Sequence, residues 1–403
     1  MFLEIRLYCQ NIINSIPADR LLSLDVMRGI TITAMVLVNN PGSWSYVYSP
    51  MGHAAWDGWT PTDLIFPFFL FMVGISIVLA FEKRVESGIP PAKLYRSIII
   101  RCGKLVGLGL LLGYSYARFY HPEYNFFDSL AGKRLPGVLQ RIGIVYLVTS
   151  IIVLNFTHRG RINWFIALLA FYWLAMIYFP YSYTDATGVV HHLAGNLEMG
   201  KNFANFVDHH VFGLHIWKKH IEPFGHDPEG VLSTIPSIAS CLAGVFTATL
   251  LRNKQQTTVE KVVKMYFVAM VSLFIGQVLN YSFPINKALW SPAFVFHTTG
   301  MALIFLASLT YIVDLKSKKL WSAPFIVFGA NAIAFYSIST VLGGVFNSHI
   351  RIGGKSLVSF LFEDVYQPVL GHYGASLAYS ISLLLLMYFI MNYMYKKNVF
   401  WKV

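Results

Sequence analysis

What most constrains this chain is a train of apolar stretches long enough to cross a bilayer. A helix spanning the hydrocarbon core needs about 17–25 largely apolar residues. Stretches of that kind fall at 22–40, 63–82, 97–116, 136–155, 163–180, 233–251, 262–281, 291–313, 322–343 and 374–395. In lipid, backbone N–H and C=O groups must be satisfied within the segment, so such stretches fold as helices. The sequence therefore predicts an all-α, polytopic membrane protein with about ten transmembrane helices. Residues 355–365 are too short and interrupted to span, and are expected to lie on the surface or re-enter.

Composition agrees. Only 12% of residues are charged and 56% are hydrophobic, a charged share about half that of a soluble domain. The net charge of +12 is thus read through the placement of Lys and Arg, and no nucleic-acid partner is expected. Cations gather on alternate connections: Lys83, Arg84, Lys93 and Arg96, then Arg252, Lys254, Lys261 and Lys264, then Lys316, Lys318 and Lys319. The opposite connections carry roughly half as many, which by the positive-inside rule puts both termini, with Arg20 and Lys402, in the cytoplasm. The His53 loop and the longest connection, 182–232, then face outward. No repeat or linker divides the chain, so 1–403 reads as one domain. Cys9, Cys102 and Cys241 lie far apart and make neither a disulfide framework nor a metal motif. The N-terminal stretch lacks the apolar core and cleavage site of a signal peptide. Histidines crowd the 182–232 connection from His191 to His226, but without metal-ligand spacing on a helix. That connection is expected to be an aromatic-rich lid, and no metal is expected.

The stretch His53–Phe71, HAAWDGWTPTDLIFPFFLF, packs a histidine and two carboxylates against the start of an apolar helix. Polar groups there are expensive to bury unpaired. Asp57 is close enough in sequence to orient His53, and carboxylate plus imidazole is the minimum kit for a general base. The alternative is a structural histidine. Asp63, in Thr60-Pro61-Thr62-Asp63, reads as a helix cap, and Pro67 is expected to kink the span.

In the first span Asp25 and Arg28 share a helix face. They form either a self-neutralising pair or the anchor of an anion site. Arg28 and Asn39 return to one face about 16 Å apart, which suits a long ligand with a phosphate end and a reactive end. Arg141 lies inside the fourth span and must face the bundle interior or water. Its guanidinium suits phosphate, with a buried ion pair as the alternative. Asp227 and Glu229 lead into the sixth span, Asn286 and Trp290 into the eighth. Carboxylate, amide and indole together suit a sugar; helix capping and an interfacial Trp are the alternative.

Five motifs, SLDVMRGITITAMVLVNNPG, HAAWDGWTPTDLIFPFFLFMVG, LPGVLQRIGIVYL, DPEGVLSTIPSI and PINKALWSPAFV, occur in this order over nearly the whole chain. With them the sequence resembles the heparan-α-glucosaminide N-acetyltransferase family of multipass membrane acetyltransferases, which has bacterial members. The resemblance implies acetyl transfer from cytoplasmic acetyl-CoA to the amine of a glucosamine-type sugar, in a plasma (bacterial inner) membrane. It implies that His53 matches the essential histidine and Asn39 its neighbouring asparagine, and that Arg28 and Arg141, in the cytoplasmic halves of their spans, hold CoA. His53 then takes the amine proton or carries the acetyl group itself, and Asn39 donates to the oxyanion. Asp227, Glu229, Asn286 and Trp290 are expected to bind the acceptor. The expected partners are acetyl-CoA, an amino sugar and the bilayer, with a homodimer left open. The alternative function is an amino-sugar permease that uses no acetyl donor.

Overall fold

The computed structural model describes residues 2–17, 21–120, 133–185 and 187–401. Arg20 and Lys402 lie outside the described residues. The expected helical architecture is found. An amphipathic helix α1 (Phe2–Asn14) precedes α2 (Leu22–Asn39), α3 (Ile65–Glu86), α4 (Pro91–Tyr120), α5 (Val138–Asn155) and α6 (His158–Tyr178). After a short helix α7 (Phe203–Phe212) come α8 (Val231–Arg252), α9 (Thr258–Asn280), α10 (Pro292–Leu309), α11 (Ala323–Ala330), α12 (Ala332–Ser348) and α13 (Gln367–Lys396). Among the described residues, 9 helices are long and apolar enough to cross a membrane. The ninth expected span, 322–343, is instead a bent pair: α11 and α12 meet at Asn331 with a 74° turn.

The boundaries follow from local chemistry. α2 ends before Pro41, whose ring disfavours helix in the residue ahead of it. A 3-10 turn, Pro61–Leu64, leads into α3, with Thr60 and Asp63 forming a capping box and Pro61 in the first turn. Pro67 falls in the first turn of α3, where its missing N–H would have had no partner. The expected mid-span kink therefore has no cause there. Residues 357–366 are helical and run into α13, with the backbone broken at Gly371 (φ 67°).

α8 is the centre of the bundle: 83% of it is buried, against 17% for α4 and 22% for α6. It packs closely on α3 because both helices carry glycine at the crossing. A Cβ on Gly74 would sit 1.9 Å from the Cys241 carbonyl oxygen, and one on Gly244 1.9 Å from that of Phe71. Without a hydrophobic drive between helices in lipid, such close approach is what holds a pair together. α2 meets α11 in the same manner at Gly29.

The two ends of the bundle differ. α1 lies against the end of α13, where Tyr8 Oη donates to Asn392 Oδ1 at 2.6 Å, so the chain starts and finishes at one end. The opposite end carries the His53 loop and the long connection after α6. That connection is not a featureless lid. It holds an antiparallel hairpin, Tyr181–Thr184 with Val190–Leu193, and α7, around an aromatic cluster of Tyr181, Phe203, Phe206 and Phe224.

Candidate active site

The loop ahead of α3 is fixed from both sides. Thr60 Oγ1 donates to Gly52 O at 2.6 Å, and Gly58 N donates to Ile285 O at 2.7 Å. Gly58 has φ 92°, a left-handed conformation that a Cβ would strain. Trp56 Nε1 reaches Leu197 O at 3.1 Å and ties the loop to the long connection.

At its centre His53 Nδ1 lies 2.7 Å from Asp63 Oδ1. The Asp63 side chain is 1% exposed and His53 is 49% exposed. Asp63 Oδ2 accepts from Ala54 N and Thr60 N, both at 3.0 Å. Asp63 and Lys287 both meet the ring at Nδ1, at 2.7 and 3.0 Å, so the imidazole is oriented through that nitrogen and Nε2 is left for an outside partner. The expectation that Asp57 orients His53 is corrected. Asp57 Oδ1 instead accepts from Asn286 Nδ2 at 3.1 Å. Asp63 does serve as the helix cap that its motif announced, and the same carboxylate holds the histidine. A capping side chain folds back over its own loop, so position 63 reaches His53 although Asp57 is nearer in sequence.

Lys287 completes the cluster, with Nζ 3.3 Å from Asp63 Oδ1 and 3.0 Å from His53 Nδ1. Burial depresses its ammonium below the ordinary lysine value, and Asp63 and then Glu229 pull it part of the way back. Sequence reasoning missed Lys287, although it adjoins Asn286 in PINKALW. Asn286 is wholly buried and acts as the bracket of this segment. Its Oδ1 accepts from Leu289 N at 2.9 Å while its amide holds Asp57.

The remaining expected sugar residues are not an open platform. Asp227 is buried and takes Arg134 Nε at 2.7 Å and Arg134 Nη2 at 2.5 Å. Arg134 also pairs with Glu229. Burial works against the Arg134 charge, yet Glu229 and Asp227 raise its pKa above the usual value. Burial alone would raise the Glu229 carboxyl; Arg134, then Arg141 and Lys287, bring it below its usual range. These two acids share Arg134 and form an ionic anchor ahead of α8. Trp290 is 1% exposed. Its φ of 52° turns the ring inward, where Nε1 donates to Ser240 Oγ at 3.0 Å. The Arg141 guanidinium lies 5.3 Å from its ring centroid, so the indole face expected to stack on a sugar is turned into the protein.

Arg141 is the second correction. It does not stand with Arg28. Nη2 donates to Gly230 O at 3.1 Å and Ser233 Oγ at 2.5 Å, beside Trp290 and at the His53 end of the bundle. Position 141 is near the start of α5, and α5 starts from that end, so a cytoplasmic placement contradicted the helix order itself. Its Nε and Nη1 are buried with no hydrogen-bond partner among the described residues.

Arg28 does line a cavity, of about 370 Å³. It is paired with Asp25 at 3.2 Å. The second cation there is Arg101, stacked 4.6 Å from the Tyr146 ring centroid. Its Nε is buried without a hydrogen-bond partner among the described residues. Arg101 stands inside the 97–116 span, and an arginine there must face the interior. α3 lines this cavity from Ile77 up to Phe66, about 16 Å of helix. Phe66 packs edge-on against Trp290, ring centroids 5.2 Å apart. Asn39, the last residue of α2, is exposed.

Fold and site together define a polytopic membrane protein with a carboxylate-held histidine at one end and an arginine-lined cavity reaching toward it from the other. The chain belongs to the family described as heparan-alpha-glucosaminide N-acetyltransferase, catalytic, which matches residues 20–281. It is 28% identical to heparan-alpha-glucosaminide N-acetyltransferase of Mus musculus and 27% identical to that of Homo sapiens. These similarities cover 96% and 95% of this chain but 61% and 60% of the two relatives. The chain thus spans about three-fifths of their length. The resemblance read from the motifs is borne out.

Proposed function

We propose that this protein transfers an acetyl group from acetyl-CoA to the amine of a glucosamine-type sugar. The observation that carries the reading is the double role of α3. The 3-10 turn that leads into it carries Asp63 of the His53–Asp63–Lys287 cluster, and its own turns from Phe66 to Ile77 line the cavity of Arg28 and Arg101. Guanidiniums suit the phosphates of CoA, because each offers forked, charge-assisted hydrogen bonds. A pantetheine arm lying along α3 brings the thioester toward Phe66, one turn from Asp63. A permease for a neutral or cationic sugar has no use for such a pair of cations.

The chemistry follows from the free Nε2 of His53. A sugar ammonium gives its proton to Nε2, and the amine nitrogen attacks the thioester carbon. The C–N bond forms and the C–S bond breaks; the second amine proton passes to the departing sulfur, so CoA leaves as the thiol, and His53 returns the first proton to solvent. Asp63 stabilises the imidazolium that forms, and Lys287 keeps Asp63 ionised. Lys287 also disfavours a second ammonium beside the site, which favours the free amine as the bound form. Asn39 is the proposed oxyanion donor. The histidine end faces outward and the termini face the cytoplasm, so donor and acceptor arrive from opposite sides. Asp57 and Asn286 shape the acceptor loop, and Asp227 and Glu229 hold the Arg134 anchor beneath it.

The test is direct. Purified protein is incubated with radiolabelled acetyl-CoA and a panel of amino sugars. Labelled N-acetyl product from wild type, lost in His53→Ala while acetyl-CoA still binds, supports the reading. Transport of the sugar without acetylation would replace it with the permease.

A further inference from the structure

The mouth of the donor cavity is built partly from the very end of the chain. After α13 the tail turns back, and Asn331 grips it at two points. Asn331 Nδ2 donates to Val399 O at 2.9 Å, and Trp401 N donates to Asn331 Oδ1 at 3.0 Å. Asn331 is 4% exposed and sits at the 74° corner between α11 and α12. Tail docking and helix break are therefore one feature. Both Asn331 and Trp401 line the cavity at the end that holds Arg28 and Arg101.

Trp401 has no core to fill there. It is 45% exposed, its backbone is fixed by Asn331, and the residue lines the cavity. Guanidiniums, an indole and a long apolar wall lining one cavity match a ligand with phosphates, a flat base and an extended arm. We propose that the C-terminal tail is part of the donor site, with Trp401 as the platform for the purine base of the nucleotide while Arg28 and Arg101 take its phosphates. This rests on the cavity being the acetyl-CoA site. A base stacked on an aromatic ring is held through its π-face. Asn331 is a positioning residue: it presents Trp401 by holding the backbone on either side of Phe400.

The test separates base from arm. CoA, adenosine 3′,5′-bisphosphate and 4′-phosphopantetheine are titrated calorimetrically into wild type, Trp401→Ala and Trp401→Phe. The proposal expects Trp401→Ala to weaken CoA and the bisphosphate alike, by about 10-fold. Phosphopantetheine, which has no base, should be unchanged, and Trp401→Phe should recover most of the loss. Asn331→Ala, which frees the tail, should show the same selectivity. Unchanged CoA binding in Trp401→Ala, or an equal loss for phosphopantetheine, overturns the proposal. Absence of CoA binding to the wild type would instead remove the donor reading beneath it.

Discussion

His53 Nδ1 stands 2.7 Å from Asp63 Oδ1, while Asp57, nearer in sequence, turns away to Asn286. The pair assigns the two carboxylates of the loop to different tasks. Asp63 orients the histidine from a buried position; Asp57 holds the loop to the segment ahead of α10.

That division gives the first expectation. Asp63→Asn keeps the size of the side chain but removes the charge that stabilises an imidazolium. Transfer should fall about 10²–10⁴-fold, the usual range for a general base. Asp57→Asn should lose little by comparison, because Asn286 can still hydrogen-bond it. Comparison of kcat for the two variants decides between them; equal losses would contradict the assignment.

The cavity gives the second. Arg28→Ala and Arg101→Ala should each raise the KM for acetyl-CoA by about 10-fold or more, for loss of a charge-assisted contact. Arg141→Ala should not share that signature. It lies against Trp290 and Ser233 and should act on stability and on kcat. Steady-state kinetics in detergent separates the two patterns.

Much of this was legible in the sequence, for a physical reason. Lipid forces apolar stretches into helices, so spans such as 22–40 and 136–155 were found within a few residues of α2 and α5. What escaped depended on tertiary direction. Asp63 was rightly read as a cap, but a cap's second partner cannot be seen from spacing. Trp290 was expected to stack on a sugar, yet it is 1% exposed and bonded to Ser240 inside the bundle, a direction that spacing does not carry. Lys287 is far from Asp63 in sequence, and only the bond between Gly58 and Ile285 O brings the two together. The bend at Asn331 was hidden because both of its arms are apolar.

A third expectation concerns pH. Asp208 is buried, and its Oδ1 accepts from Val231 N at 2.7 Å at the start of α8. Burial pushes its pKa up to about 7; the Val231 N–H opposes this, and the charge of Asp227 adds to it. The unfolded value is about 3.9. Between the two, the folded protein binds more protons than the unfolded chain, so stability must fall as pH rises from about 4 to about 7. Asp208→Asn keeps the acceptor and cannot ionise. Its stability should match wild type near pH 4 and exceed it at pH 8, by up to about 1.4 kcal/mol for each pH unit of the window, read as a higher Tm at pH 8. A Tm difference that is flat with pH would show that Asp208 holds no proton.

The α3–α8 crossing gives a fourth. Gly74→Ala or Gly244→Ala drives a methyl into a backbone carbonyl. Backbone cannot yield as a side chain can, so each should destabilise by about 1–3 kcal/mol or more. The loss should appear as a lower Tm in detergent. Unchanged Tm in either variant would mean that the helices are further apart than this packing requires.

The central claim is that an acetyl group passes along α3 from the Arg28–Arg101 cavity to His53. Oriented proteoliposomes test it most directly, with acetyl-CoA supplied only on the face that carries the chain termini and glucosamine confined to the other. The account predicts N-acetylglucosamine on the glucosamine side, abolished in His53→Ala. Product that forms only when both substrates share one face would contradict it.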